Sequence, residues 1–283
     1  MLLGDPDQLQ PIEAGTPFSE LVARTKSAHL TEIHRQKMGW QKNASKELAD
    51  GDIVQALARY RDHGAVTETS EHSDALDTLV ETYAIDALQN LQSIRLAFAH
   101  RRKDVYALNQ GIRAALRDDP EHDVVLETDT GPRAFGPGDR NIFGKNDKAL
   151  GVKNSMLGTV EYAEDGKLKV ALDGKARRIV SFDPSSYQSF DHGYAVTIHK
   201  SQGATVDAAY VLASRSMDRH LAYVAMTRHR EELQVYTSAE DAPRTGSAPL
   251  GQGNRQAGRI DHDLRERNCA QSLRVEDRRA RNG

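Results

Sequence analysis

A single cysteine, Cys269, stands in the 283 residues, in a polar stretch near the end, so no intramolecular disulfide framework is possible and a structural zinc site is disfavoured. That usage fits a reducing compartment, and a cytoplasmic location is expected. The 11 histidines are scattered without paired ligand spacing, so no metal centre is expected and most of them read as surface or capping side chains. No apolar run approaches the ~20 residues needed to cross a bilayer, and Met1-Leu2-Leu3 is too short to open a secretion signal; a membrane is not an expected partner. Also missing is any stretch of the form G-x-x-x-x-G-K-[ST], whose glycines let backbone N–H groups approach phosphates and whose lysine and hydroxyl serve phosphate and Mg²⁺. The nearest approach, Gly138 to Asn146, has one residue too many and ends on an amide; it reads as a strand and turn in a small domain.

What is present is ordinary for a soluble chain: 38% hydrophobic and 28% charged residues, enough for one or two domains with a substantial core. Lys and Arg total 38 against 41 Asp and Glu, a net charge of −3, but a narrow basic groove would be averaged away in that sum, so nucleic acid is not excluded. From Asp241 onward nine Arg face six Asp and Glu, and Gly, Pro and Ser cluster between Pro243 and Gly258. This reads as a flexible linker and a weakly helical, mildly basic end: a solvated tail, with a DNA-contacting arm as the alternative.

Apolar periodicity organises the rest. Met1 to Leu3 resembles the end of a hydrophobic strand stopped at Gly4-Asp5-Pro6, residues 17–25 read as a helix, and residues 29–33 as a short strand. Ala44 and Leu48, then Ile53, Ala56, Leu57 and Tyr60, predict two amphipathic helices broken at Gly51, and residues 75–90 predict a third. A β–α step follows, with a buried strand at 94–99 and a helix at 103–117. Between 121 and 187 short β-rich runs separated by glycine-containing turns predict a small antiparallel barrel. The α/β pattern resumes with a helix around 194–202, a strand at 208–213, a helix at 219–227 and a strand at 233–237.

Three blocks stand out in order: Gly4-Asp5-Pro6-Asp7-Gln8-Leu9-Gln10-Pro11, Thr197-Ile198-His199-Lys200-Ser201-Gln202-Gly203, and Tyr223-Val224-Ala225-Met226-Thr227-Arg228. They resemble motifs III, V and VI of the superfamily 1 DNA helicases, with a spelling close to the RecD-like branch. The resemblance implies an α/β protein of RecA-like P-loop helicase lobes, the first incomplete and the second complete, with the small β-barrel inserted in the second. The implied boundaries are 1–92 for the remnant of the first lobe with motifs III and IV, 93–120 and 189–240 for the second lobe with motifs V and VI, 121–188 for the barrel and 241–283 for the tail. Because the phosphate loop and the Walker B acidic pair belong before motif III, the isolated chain is expected not to hydrolyse ATP. Limited proteolysis is expected to leave a core beginning near Ser93.

The resemblance also implies roles. Gln8 is expected to orient the attacking water or sense the γ-phosphate through its amide, and Asp5 to lie on the nucleotide side with it. Arg35, within Leu30-Thr31-Glu32-Ile33-His34-Arg35-Gln36, resembles the motif IV arginine, and Arg228 that of motif VI. Phosphoryl transfer rests on charge stabilisation, and two guanidinium groups from different elements suit a site formed between lobes. Gly203 joins this nucleotide side. Thr197, His199, Ser201 and Gln202 are placed on the DNA track, where hydroxyls, an imidazole and backbone N–H groups grip phosphates without reading bases. The turn at His100, Arg101 and Arg102 offers a second phosphate clamp, or else is a solvated basic turn. The cofactors implied are ATP and Mg²⁺, held only together with an upstream half.

The first block through Gly15, the Arg35-Gln36 block with Trp40 and Ala44, and the stretch from Tyr223 to Arg230 further resemble the helicase part of Ti-plasmid-type conjugative relaxases. The implied partners are single-stranded DNA, upstream relaxase and Walker A and B segments, and the conjugation machinery. Two alternatives stay open: a non-hydrolytic module that binds single-stranded DNA or a partner, and a fragment of a RecD-like repair helicase.

Overall fold

Alternation of buried side chains builds a parallel sheet from strands far apart in the chain. The computed structural model describes residues 33–117, 123–164, 166–174 and 178–241. In chain order these form α1 (Gly39–Ala49), α2 (Ile53–Asp62), β1 (Val66–Thr69), α3 (His72–Gln89), β2 (Arg95–Ala99) and α4 (Arg102–Leu116). An inserted unit holds β3 (Val124–Thr128), β4 (Gly131–Phe135), β5 (Arg140–Phe143), β6 (Leu157–Glu164), β7 (Lys167–Leu172), β8 (Ile179–Phe182) and β9 (Phe190–His192). The chain returns through β10 (Ala195–Thr197), β11 (Val206–Leu212), α5 (Arg219–Met226) and β12 (His229–Ser238). The first sheet has the order β1-β12-β11-β2-β10 and every pairing is parallel, with Val66 opposite Val235, Val211 opposite Phe98 and Val196 opposite Phe98.

Strand periodicity sends successive side chains to opposite faces, and each face has its own helices. Leu96, Phe98, Ala209, Val211, Leu233 and Val235 meet α1, α2 and α5 through Leu48, Tyr60 and Val224. Ala97, Ala99, Ala208, Tyr210 and Tyr236 meet α3 and α4 through Leu79, Tyr83, Leu108 and Ile112. Local signals set the helix ends. Asp52 accepts from Gln55 N at 3.1 Å to start α2, Asp218 accepts from Leu221 N at 2.8 Å to start α5, and Gly51, at φ 85°, makes the turn between α1 and α2.

The boundary expected at residue 92 does not fall there. β1 extends the sheet by pairing with β12, and α1, α2 and α3 supply fully buried residues to both faces of it. Burial of each large apolar side chain is worth about 1.5–3 kcal/mol, so Leu48, Tyr60, Leu79 and Tyr83 tie this stretch to the sheet more firmly than a detached remnant would be held. The expected helix at 17–25 and all of the expected strand at 29–33 but Ile33 lie outside the described residues.

The insertion, expected to be a small antiparallel barrel, is antiparallel throughout its described pairings. β8-β7-β6-β5-β9 form an antiparallel sheet of linear order, and β3 and β4 form a separate hairpin that packs on it through Leu126 and Phe135; among the described residues the ladder does not close. The insertion is anchored on the first sheet. Asp139, wholly buried, accepts from Arg113 of α4 at 2.9 Å and from the Tyr194 hydroxyl at 2.8 Å. Where the chain passes back, any side chain on Gly193 would place its Cβ 2.7 Å from the Asn141 backbone, so only glycine fits.

Candidate nucleotide and nucleic-acid sites on opposite sheet edges

Parallel strands put residues that precede a strand at one edge of the sheet and residues that follow a strand at the other. Thr227 and Arg228 precede β12 and so lie at the N-terminal edge. Arg228 is 3% exposed, and its guanidinium caps α5: Nε donates to Val224 O at 2.9 Å and Nη2 to Thr227 Oγ1 at 3.2 Å. Arg35 comes from 193 residues away, donating through Nη1 to Thr227 O at 2.5 Å, and Gln36 Nε2 donates to the same carbonyl at 3.3 Å. Lys37 N donates to Arg230 O at 3.0 Å and Gln41 Nε2 to Glu231 O at 2.7 Å, so residues 35–41 lie along residues 227–231.

The charge state of Arg35 follows from this placement. Burial lowers its pKa, Tyr223 acts in the opposite sense, and the neighbouring Arg230 lowers it further. Among the described residues no carboxylate pairs with it. A half-buried cation with a carbonyl neighbour and a second cation nearby suits an incoming anion such as a phosphate.

A helix was expected around residues 194–202. Instead β10 ends at Thr197 and the chain crosses the sheet in turns, because Ile198 enters the core and Ser201 is spent on its own backbone, its Oγ donating to Ile198 O at 2.7 Å. Thr197 Oγ1 accepts from Lys200 N at 3.3 Å, Gln202 is exposed, and Gly203 takes φ 81°. The crossing delivers Val206 N to Arg228 O at 3.1 Å. The segment therefore begins at the C-terminal edge of the sheet and ends beside Arg228.

At that C-terminal edge His100 follows β2 and His199 follows β10, with ring centroids 5.7 Å apart, and Ile198 N donates to Ala99 O at 3.1 Å. His100 Nδ1 lies 2.9 Å from Ser216 Oγ. A cleft of about 840 Å³ opens here between the sheet and the insertion, with His100, Arg102, Thr197 and His199 on one wall and Thr130 and Arg133 on the other. Arg101 does not join it. Its Nε is bonded to Asp104 Oδ2 at 2.5 Å and its Nη2 lies 2.7 Å from His72 Nε2, in a network that also ties His72 to Asp241.

The structure thus brings Arg35, Gly203 and Arg228 to one edge and His100, Arg102, Thr197 and His199 to the other, leaves Ser201 and Gln202 between, and turns Arg101 inward. Asp5 and Gln8 lie outside the described residues. The sequence reading missed Gln36 and Gln41, whose amides fix the strand around Arg228, and Asn109, whose side chain accepts from Tyr194 N and Ala195 N and donates to Ala195 O at 2.9 Å. It also missed Tyr106, one helical turn after Arg102 on the cleft side of α4, a spacing that the i, i+4 rule makes visible.

Two family models match the chain: an AAA domain over residues 1–71 and a UvrD-like helicase C-terminal domain over residues 192–236. A probable conjugal transfer protein TraA of Sinorhizobium fredii (strain NBRC 101917 / NGR234) is 40% identical over 268 residues, which is 93% of this chain and 24% of that protein. The conjugal transfer protein TraA of Rhizobium radiobacter is 42% identical over 91% of this chain and 24% of its own length. The chain spans about a quarter of the length of the curated relatives it matches. Among solved structures, the Pif1 helicase from Bacteroides in complex with ADP-AlF3 and ssDNA superposes with a TM-score of 0.52 at 18% identity, covering 95% of this chain and 66% of that one. The Pif1 helicase from Candida albicans gives 0.51 at 18% identity, covering 72% and 55%. The chain is therefore similar, over nearly all of its length, to one segment of conjugal transfer proteins TraA, and its α/β fold with a parallel sheet resembles the lobes of the Pif1 helicases.

Proposed function

We propose that this chain is the motif III to VI portion of an ATP-dependent superfamily 1 DNA helicase, which in its complete form translocates on and unwinds DNA during conjugative transfer. One observation carries the proposal. Arg35 and Arg228 meet at one edge of the sheet, the histidine-lined cleft opens at the other, and residues 198–205 run from one to the other. A motor needs that continuity, because hydrolysis at one site must alter the grip at a second.

In this reading Arg35 and Arg228 face the phosphates, Gly203 belongs to the same side, and Asp5 and Gln8, which lie outside the described residues, are assigned to the nucleotide with them. The guanidinium of Arg35, which no carboxylate pairs among the described residues, fits a triphosphate, and ATP with Mg²⁺ supplies the phosphoryl group whose loss drives the cycle. Thr197, His199 and Lys200, together with His100 and Arg102, hold the phosphates of single-stranded DNA. The reading assigns relaxase and Walker A and B segments to a longer protein; what supports a longer protein is that the chain matches about a quarter of the length of a TraA relative.

Joining this chain in frame to the upstream segment of a TraA relative is expected to give ATP hydrolysis stimulated by single-stranded DNA, and Arg35→Ala in that protein is expected to abolish the stimulated rate. Hydrolysis unaffected by Arg35→Ala would overturn the assignment.

A further inference from the structure

We propose that Tyr106 is a stacking platform for one nucleobase at the mouth of the cleft, stiffened from behind by Arg133; this rests on the single-strand reading above. Tyr106 is 53% exposed on the side of α4 that also carries the exposed Arg102 and Gln110, all three of which line the cleft, and an exposed aromatic ring at the mouth of a cleft needs a reason. Arg133 supplies one. Its guanidinium carbon lies 5.1 Å from the centre of the Tyr106 ring, so a cation covers one face and leaves the other to solvent.

The guanidinium is itself fixed. Nε donates to Asp191 Oδ1 at 3.2 Å, Nη1 to Pro132 O at 2.9 Å and Nη2 to Thr130 O at 3.2 Å, and only 13% of the side chain is exposed. A ring resting on an immobilised cation loses little freedom when a base settles on its open face. Tyr106 belongs to α4 and Arg133 to β4, so the platform also spans the seam between the first sheet and the insertion. Arg102, one turn before Tyr106, and His199 across the cleft are placed for the flanking phosphates. Stacking of this kind is tolerant of sequence, as a translocating protein requires, because every base has a π face.

The test uses the full chain and a fluorescent oligodeoxythymidylate of about twelve nucleotides at low salt, with a single abasic position moved along the strand. In the unsubstituted protein one abasic position is expected to weaken binding by about 5- to 150-fold. Tyr106→Ala is expected to show that loss with the intact oligonucleotide and no further loss with the abasic one. Tyr106→Phe keeps the ring and is expected to bind as the unsubstituted protein does, whereas Arg133→Ala is expected to lie between. An unchanged abasic profile in Tyr106→Ala, or a Phe variant as weak as the Ala variant, would overturn the platform while leaving single-strand binding intact. Failure of the unsubstituted protein to bind any oligonucleotide would instead overturn the functional reading on which the platform rests.

Discussion

Arg35 donates through Nη1 to the carbonyl of Thr227 at 2.5 Å, one residue before Arg228, although 192 positions separate the bonded pair. The bond orders two cations at one sheet edge, but the two are not equivalent. Arg228 is buried and caps α5, whereas Arg35 is half-buried and the carbonyl it contacts is shared with Gln36. In a complete helicase Arg35→Ala is expected to lower kcat by about 10³-fold or more while leaving the fold intact. Arg228→Ala is expected to lower kcat by a similar factor and also to cost about 1.5–3 kcal/mol of stability through loss of its charged hydrogen bonds. Steady-state kinetics and thermal melts of both variants check this. Nucleotide affinity collapsing with turnover unchanged would contradict it.

The isolated chain is expected to show no significant ATPase activity. No part of its sequence has the glycine-rich cradle and lysine that hold phosphates. A phosphate-release assay with and without single-stranded DNA checks it, and stimulated release at helicase-like rates would show the assignment to be wrong.

Limited proteolysis separates the two placements of residues 35–92. With β1 paired to β12 and with Leu48, Tyr60, Leu79 and Tyr83 in the shared cores, the resistant fragment is expected to begin upstream of α1. Mass spectrometry of the fragment decides it. A core beginning near Ser93 would restore the boundary that the sequence alone suggested.

That boundary was illegible for a physical reason. β1 is Val66-Thr67-Glu68-Thr69, four residues at a sheet edge with little apolar content, so neither length nor alternation announces a strand. The helix expected around 194–202 failed differently: Tyr194, Val196 and Ile198 are all buried, but Ala195 and Val196 serve opposite faces of a short strand that begins only after Tyr194, and Ile198 starts the crossing over one of those faces. The helices over residues 39–62, 72–89 and 102–116, with α5, were legible because a 3.6-residue apolar stripe is local, and Gly51, Asp52 and Asp218 add a glycine stop or a cap for α1, α2 and α5. Of the site, the motif residues were visible as spelling. What spelling could not give is that Arg101 turns inward to Asp104 and His72, or that Gln36 and Gln41 clasp the strand beyond Arg228, since both depend on partners distant in the chain.

Stability should fall as pH drops below neutrality. His229 is wholly buried beside Arg228, and that burial pushes its imidazole from 6.5 down to about 4. With the folded pKa below the unfolded one, the unfolded chain takes up a proton first, so stability is full above pH 6.5 and is lost progressively between about 6.5 and 4. A displacement of this size is worth about 3 kcal/mol. His192, also lowered by burial, adds in the same direction. Urea melts across this range should show a shallower pH slope for His229→Phe than for the unsubstituted chain; equal slopes would refute the assignment.

The central claim is that the cleft at the C-terminal edge grips single-stranded DNA through its phosphates, and a fluorescence titration of the full chain with oligodeoxynucleotides of different sequence across salt tests it most directly. With Arg102 and Lys200 as the cationic contacts, log K is expected to fall against log salt with a slope of roughly −1 to −2, and by the same amount for every base sequence. A flat salt response or a marked preference for one base would contradict the account.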